Sequence, residues 1–295
     1  MNKPLLKLGF IDYCNPIDEF FIDTLSRQFQ IERNDENPDY LIFCDKNFGQ
    51  QNMKFNDRKV IKIFFTGENA RPFEYHAHHA ISFDHLDGKH FYRLPLYVLD
   101  NWVNTKKLKM LDITQIPRTA TASEKTGFCS FVVRNGGCNE RNNMFFLLSE
   151  YKKVDSGGPL FNNTGEILNR EGLEGFHVSK KNFLQKRKFN LCYENSSYPG
   201  YVTEKIFHAL TYNTIPIYWG SPTVEIDFNP KAFVSRHDFR NDKEMLDFIV
   251  HLDNNENSYN EMLQQPILNF GNKFLDLDRF NHWFMDSVYR GVING

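Results

Sequence analysis

Residues 188–220 read KFNLCYENSSYPGYVTEKIFHALTYNTIPIYWG, and the order of their parts decides the fold. KFNLCY (188–193) is a short apolar run bounded by polar residues, as a buried strand requires, and TIPIYWG (214–220) is a second. Between them TEKIFHALTY (203–212) sets Ile206, Ala209 and Leu210 on one side of a helix. Strand, helix, strand with both strands apolar predicts a parallel sheet covered by helices. Glu194, Asn195 and Ser196 then fall at the C-terminal edge of the first strand. Pro199 and Gly200 make a turn, Thr203 caps the helix, and Glu204 and Lys205 stand in its first turn. In open α/β sheets that edge is where ligands bind. Free N–H groups and the macrodipole favour an anion at a helix start. Lys205 is therefore poorly placed for helix stability alone, and a bound phosphate explains it; a capped helix with Glu204 and Lys205 facing water is the alternative.

The same alternation runs through the chain. LLKLGFI (5–11), DYLIFC (39–44) and KVIKIFF (59–65) read as strands, with Ile17, Phe20, Phe21, Leu25 and Phe29 at helical spacing between the first two. HAISF (79–83) and FYRLPLYV (91–98) add short extended pieces. From 104 to 126 the pattern fails in a polar, Thr-rich stretch that reads as a linker with some local helix. Its Lys106, Lys107 and Lys109 read as a solvated face, with membrane-surface contact left open. It then restarts with a strand at 127–133 and a helix at 140–151, and helices at 242–252 and about 272–290 close the chain. The expectation is two doubly wound α/β domains facing a cleft, over 1–122 and 123–272, with a helical segment at 273–295 able to pack back on the first.

Composition narrows the function. The formal net charge of -2 supplies no global positive field, which argues against a nucleic-acid partner. Five widely spaced cysteines without a C-x-x-C pair read as reduced thiols of a cytoplasmic protein, neither a disulfide framework nor a zinc site. No secretory signal and no run of about 18 apolar residues is seen, so membrane contact is expected to be peripheral at most. The 29 Phe read first as core filling. His76, His78, His79, His85 and His90 match no common metal spacing, and no metal site is expected. Dinucleotide and P-loop signatures are absent, so a bound diphosphate needs Arg and Lys; Lys205 and Arg141, near the start of the helix after strand 127–133, are the candidates.

The string F-N-L-C-Y-E-N-S, a short turn, Y-V-T-E-K, a helix and I-P-I-Y-W-G resembles the signature of the α1,3/α1,4-fucosyltransferases. SFVVRNGGCNERNNMF (130–145) and VDSGG (154–158) look like further family segments, and FFTGENARP (64–72) and FDHLDGKHFYRLPLY (83–97) look like its bacterial branch. The resemblance implies a GT-B fold with an N-terminal acceptor domain and a C-terminal donor domain, both Rossmann-like. It implies inverting transfer of L-fucose from GDP-β-L-fucose to N-acetylglucosamine or glucose of a Galβ1,4-type oligosaccharide, as in Lewis-antigen-like glycans, without a cofactor or an essential metal. Asn195, Tyr201, Glu204 and Lys205 match donor-contacting positions, Arg141 the arginine at the pyrophosphate, and Glu68 in T-G-E-N the general base. Alternatives are α1,4 transfer, another nucleotide sugar, a glycoside hydrolase using Glu68 and Glu204 as its carboxylate pair, and a non-catalytic carbohydrate-binding protein. Acceptor identity and oligomeric state are not written in these motifs.

Overall fold

The computed structural model describes residues 3–109, 114, 117–165, 167–168, 175–270 and 272–290. The chain divides into two compact units, Met1–Met110 with Lys273–Gly295, and Leu111–Asn272. Among the described residues no helix is long and apolar enough to cross a membrane.

In the first unit six strands, β1 (Leu5–Ile11), β2 (Gln30–Arg33), β3 (Tyr40–Phe43), β4 (Ile61–Phe65), β5 (His79–Ser82) and β6 (Phe91–Arg93), form one sheet in the order β2-β1-β3-β4-β5-β6. Every pairing is parallel. All four residues of β3 are buried, as expected of a strand covered on both faces. Helix α1 (Ile17–Leu25) buries Ile17, Phe20, Phe21 and Leu25. Phe21 meets Phe65 and Phe280 edge-on or tilted, and Phe20 meets Trp102. Each such ring contributes on the order of 2–3 kcal/mol of apolar burial.

The run read as extended at 91–98 is divided: β6 stops at Arg93, and α2 (Leu96–Trp102) begins just after Pro95. Proline's fixed φ suits the entry to a helix, and that preference prevails over the β-like side chains. Past α2, Val103–Lys107 continue as a π-type turn.

The second unit holds β7 (Gly127–Phe131), α3 (Asn139–Tyr151), β8 (Val154–Ser156), α4 (Phe176–Leu184), β9 (Arg187–Leu191), α5 (Glu204–Thr211), β10 (Ile215–Tyr218), β11 (Val234–Ser235), α6 (Asp242–Asn254) and α7 (Glu256–Leu263). Its all-parallel sheet runs β11-β10-β9-β7-β8. Phe128, Phe189 and Tyr259 interlock edge to face at its centre, and Phe131 packs on Phe145, which is the core-filling use of aromatics. The polar stretch at 104–126 is not a free linker throughout. Arg118 donates to Thr214 O, Ala122 N to Asn260 Oδ1 and Lys125 to Gln185 O, so its second half is built into this unit; residues 110–113 and 115–116 lie outside the described ones.

The chain ends in α8 (Leu277–Trp283), prolonged by a π-type stretch over Phe284–Tyr289. None of the five cysteines forms a disulfide, and four of them are buried.

Candidate functional site

In the second sheet the chain leaves β7 for β8 on one side and returns to β9 on the other. The order therefore reverses between β7 and β9, and the loops beyond their C-terminal ends border the crevice where doubly wound sheets bind ligands. Those two loops carry Arg134–Cys138 and Cys192–Thr203.

The second loop is shaped by specific chemistry. Cys192 N and Glu194 N continue the ladder to Ile217 O and Trp219 O. Tyr198 to Tyr201 form a turn closed by Tyr201 N–H to Tyr198 O at 3.0 Å, with Pro199 second and Gly200 third at φ 84°. A positive φ at the third position is the type II arrangement that selects glycine there. The Gly200 N–H is held by Ser221 Oγ at 2.9 Å and Thr223 Oγ1 at 3.0 Å. Thr203 is the N-cap of α5, accepting from Lys205 N at 3.4 Å, so Glu204 and Lys205 occupy the first turn as the sequence predicts.

Beneath this turn sits Glu194, with no exposed surface. Its Oε1 accepts from Thr203 N at 2.8 Å, and its Oε2 accepts from the Thr203 hydroxyl at 2.8 Å and pairs with Lys205 Nζ at 3.1 Å. Thr203 Oγ1 in turn accepts from Lys205 Nζ at 3.0 Å, so its one proton and both lone pairs are used. Lys205 Nζ also stands 3.7 Å from Glu204 Oε1. Burial works against the Lys205 charge, but Glu194 and Glu204 outweigh it and hold its pKa above the ordinary lysine range. Burial likewise opposes ionisation of Glu204, yet the positive charges of Lys205 first and Lys180 second prevail and bring its carboxyl to about 2. Glu194 is the structural brace of the loop, and Glu204 a carboxylate whose ionised form is favoured, with 14% of its side chain exposed.

Arg141 comes to the same place from α3. Arg141, Met144, Phe145 and Leu148 form the inward stripe of that helix, so an arginine takes the first place in an otherwise apolar face. It is fully buried. Its guanidinium donates to Asn195 Oδ1 at 2.8 Å, to Tyr193 O at 3.4 Å and to Asn135 O, tying the loop after β7 to the loop after β9. A surface role for Arg141 is thus ruled out by its position. Burial pulls its pKa below the ordinary arginine value. Asn195 is exposed, whereas Tyr201 is 1% exposed and packs beneath the loop. Arg141, Asn195, Tyr201, Glu204 and Lys205 are all brought to one end of the second sheet.

Sequence reasoning missed two members of this cluster. Lys180 on α4 places its Nζ 2.8 Å from His208 Nδ1, and both side chains are buried. His208 stands four residues after Glu204 on α5, so helical spacing could have flagged it. Lys180 has no local signal, since its partner lies 28 residues away.

Glu68 belongs to the first unit, in the loop that leaves β4. Its N–H is received by Thr66 Oγ1 at 3.0 Å, which also lies 3.3 Å from Asp45 Oδ2. Gly67 precedes it because a Cβ there would meet Leu96 Cδ1 at 2.6 Å. Beyond it, Arg71 donates to Asn69 Oδ1 and Asp84 Oδ1, and Asp84 is held by the Ser82 hydroxyl at 2.8 Å. The Glu68 carboxylate is exposed. Of the nearby histidines, His79 and His90 have ring centroids 5.1 Å apart. His78 Nδ1 accepts from Lys62 N, His79 is driven by burial to a pKa of about 4, and His76 and His85 face solvent. Among the described residues, no three of these five histidines converge on one point.

Comparison with known proteins places this architecture. The family model for glycosyltransferase family 10 (fucosyltransferase) C-term matches residues 122–265, and the alpha-(1,3)-fucosyltransferase FucT N-terminal domain matches residues 8–100. The chain is 35% identical over 279 residues to alpha-(1,3)-fucosyltransferase FucT of Helicobacter pylori, an alignment covering 83% of this chain and 55% of that protein. Alpha-(1,3)-fucosyltransferase B of Drosophila melanogaster is 31% identical over 125 residues, 41% of this chain and 28% of that one. The chain thus spans about half the length, or less, of these curated relatives. A crystal structure of an alpha1,3-fucosyltransferase with GDP-fucose superimposes with a TM-score of 0.78 at 30% identity, covering 97% of this chain and 91% of that one. A second crystal structure of alpha1,3-fucosyltransferase gives 0.80, also at 30% identity, over 97% and 90%. The two doubly wound parallel sheets are those of the GT-B class expected from the sequence.

Proposed function

We propose, because this chain belongs to the fucosyltransferases of glycosyltransferase family 10, that it moves L-fucose from GDP-β-L-fucose to an oligosaccharide with inversion at the anomeric carbon. The observation that carries this reading is the cluster at the switch point of the second sheet. There Lys205 sits at the start of α5, braced by Glu194 and Thr203, with the buried Arg141 joining the two loops. An ammonium fixed at a helix N-terminus is arranged for an anion, and a guanidinium beside it suits a diphosphate.

In the reaction the acceptor hydroxyl attacks the anomeric carbon as the bond to the β-phosphate oxygen of GDP breaks. The proton leaves the hydroxyl for Glu68, an exposed carboxylate able to act as general base. Negative charge builds on the departing GDP, and the positive charges of Arg141 and Lys205 stabilise it. Glu204 does not serve as the base: a carboxylate held at about 2 is a poor proton acceptor. Its fixed negative charge suits hydrogen bonds from ribose or fucose hydroxyls, or stabilisation of positive charge at the reacting sugar. Asn195 and Tyr201 orient the donor, Asn195 by side-chain contact and Tyr201 from beneath the loop.

The acceptor, by the same reading, presents N-acetylglucosamine or glucose in a Galβ1,4-type chain, and the linkage is α1,3. Residues of the first unit bind it, and the reaction proceeds in the cytoplasm with at most peripheral membrane contact. Charge neutralisation by Arg and Lys makes a divalent metal unnecessary, so activity should persist in excess EDTA. The decisive assay offers GDP-fucose with type 1 and type 2 disaccharides and reads the products by linkage analysis. A 3-linked fucose on the type 2 acceptor is expected. GDP release from GDP-mannose but not from GDP-fucose would overturn the donor assignment, and a 4-linked product would correct the regiochemistry.

A further inference from the structure

Lys180 is 7% exposed, and a buried ammonium needs compensation. Its direct partner is His208 Nδ1 at 2.8 Å, with the Phe176 ring centroid 5.5 Å from its Nζ. An ammonium carries only donors, so the nitrogen facing it must accept, which leaves the His208 proton on Nε2 and that ring neutral. A neutral ring offers dipole but no charge. Glu204 stands one helical turn before His208 on the same helix, and the Lys180 charge helps to hold its carboxyl ionised.

His208 is in turn fixed. Its ring stacks on Tyr212 at 5.2 Å with an interplanar angle of 11°, and His177 from α4 meets it edge-on at 5.5 Å. The arrangement joins α4 to the last turn of α5 through a rigid ring. Lys180 adds a third basic side chain to those of Arg141 and Lys205 at this end of the sheet, and positive charge there favours an anionic donor.

We propose that Lys180, fixed in place by His208, is a positioning residue for Glu204 in the sugar-nucleotide site. The inference rests on the reading of this site as the GDP-fucose site.

The test is a double-substitution cycle read as donor KM, acceptor KM and kcat, with Lys180→Met, Lys180→Arg, Glu204→Gln and the pair Lys180→Met with Glu204→Gln. Lys180→Met is expected to raise the KM for GDP-fucose about tenfold while acceptor KM stays within about twofold. In the Glu204→Gln background the same change should alter donor KM by less than about twofold, because the carboxylate it positions has gone. Lys180→Arg should recover most of the loss. His208→Leu reports on the same link should Lys180→Met fail to fold, with the same donor-specific loss expected and the same insensitivity in the Glu204→Gln background. Equal losses in both backgrounds would mark a merely structural lysine and overturn the proposal, as would an unchanged donor KM. An unaltered chain that binds neither GDP nor GDP-fucose by calorimetry overturns the donor reading itself, and the inference falls with it.

Discussion

Two loops leave the C-terminal ends of parallel strands, one after β9 in the second unit and one after β4 in the first, and each carries a glutamate given a part in the reaction. The loop after β9 is closed on itself. Glu194 is sealed beneath it, Thr203 uses all its hydrogen-bonding capacity, and Gly200 is held by two hydroxyls. Its glutamate, Glu204, is held ionised by Lys205, 3.7 Å away, and by the charge of Lys180. The loop after β4 is held by Thr66 before Glu68 and by Arg71 after it, and its glutamate is exposed. A group that must keep its charge is locked into ion pairs, and one that must exchange a proton is left in contact with water.

The largest effect should come from the exposed side. Glu68→Gln is expected to lower kcat by about 10²–10⁴-fold with GDP affinity nearly unchanged. Calorimetry alongside turnover checks this, and wild-type turnover would end the distinction between the two loops. In the sealed loop the loss should appear as stability instead. Glu194→Ala leaves Thr203 and Lys205 without their carboxylate and should cost about 3 kcal/mol in denaturant unfolding. A loss under about 1 kcal/mol would show that the loop does not depend on its buried brace.

A smaller, pH-dependent effect sharpens the comparison. The Glu204 carboxyl falls from an ordinary 4.5 to about 2 on folding, so the folded state favours its ionised form. The stability it contributes is fully present above pH 4.5 and is lost as pH falls toward about 2. The difference in melting temperature between the natural chain and Glu204→Gln should therefore narrow across that window; a constant difference would argue against a depressed carboxyl. Least of all, Arg71→Ala should cost only about 1 kcal/mol, since Arg71 is partly exposed and Asp84 keeps its bond from Ser82. Thermal unfolding measures it, and a loss matching that of Glu194→Ala would erase the contrast.

What could be read from the sequence follows the range of the interactions. The N-cap Thr203, the Pro199–Gly200 turn and the limits of β1 were legible because turn, cap and strand signals act over a few residues. Edge strand β2, QIER, is mostly exposed and offers no apolar run, and β8 is three residues long, so neither announces itself. Helix α4, FHVSKKNFL, mixes polar and apolar positions and shows no clean apolar stripe. The family string located Arg141, but its complete burial depends on carbonyls more than 50 residues further on, which no local pattern shows. The Lys180–His208 link is hidden for the same reason.

The skipped neighbour in the second sheet has a kinetic consequence. Strand β7 pairs with β9, 60 residues later in sequence at Gly127 and Arg187, and only then do Tyr193 and Asn195 reach Arg141. As the polypeptide is synthesised, α3 emerges with a guanidinium in its inward face and, of the partners named above, only Asn135 O already made. Packing α3 early would bury an uncompensated charge, so its docking should wait for β9. Pulse-labelled hydrogen exchange during refolding should find α3 protected no sooner than β9, and earlier protection of α3 would refute this order. The arginine that joins the two loops in the finished protein thus also sets the moment at which they can be joined.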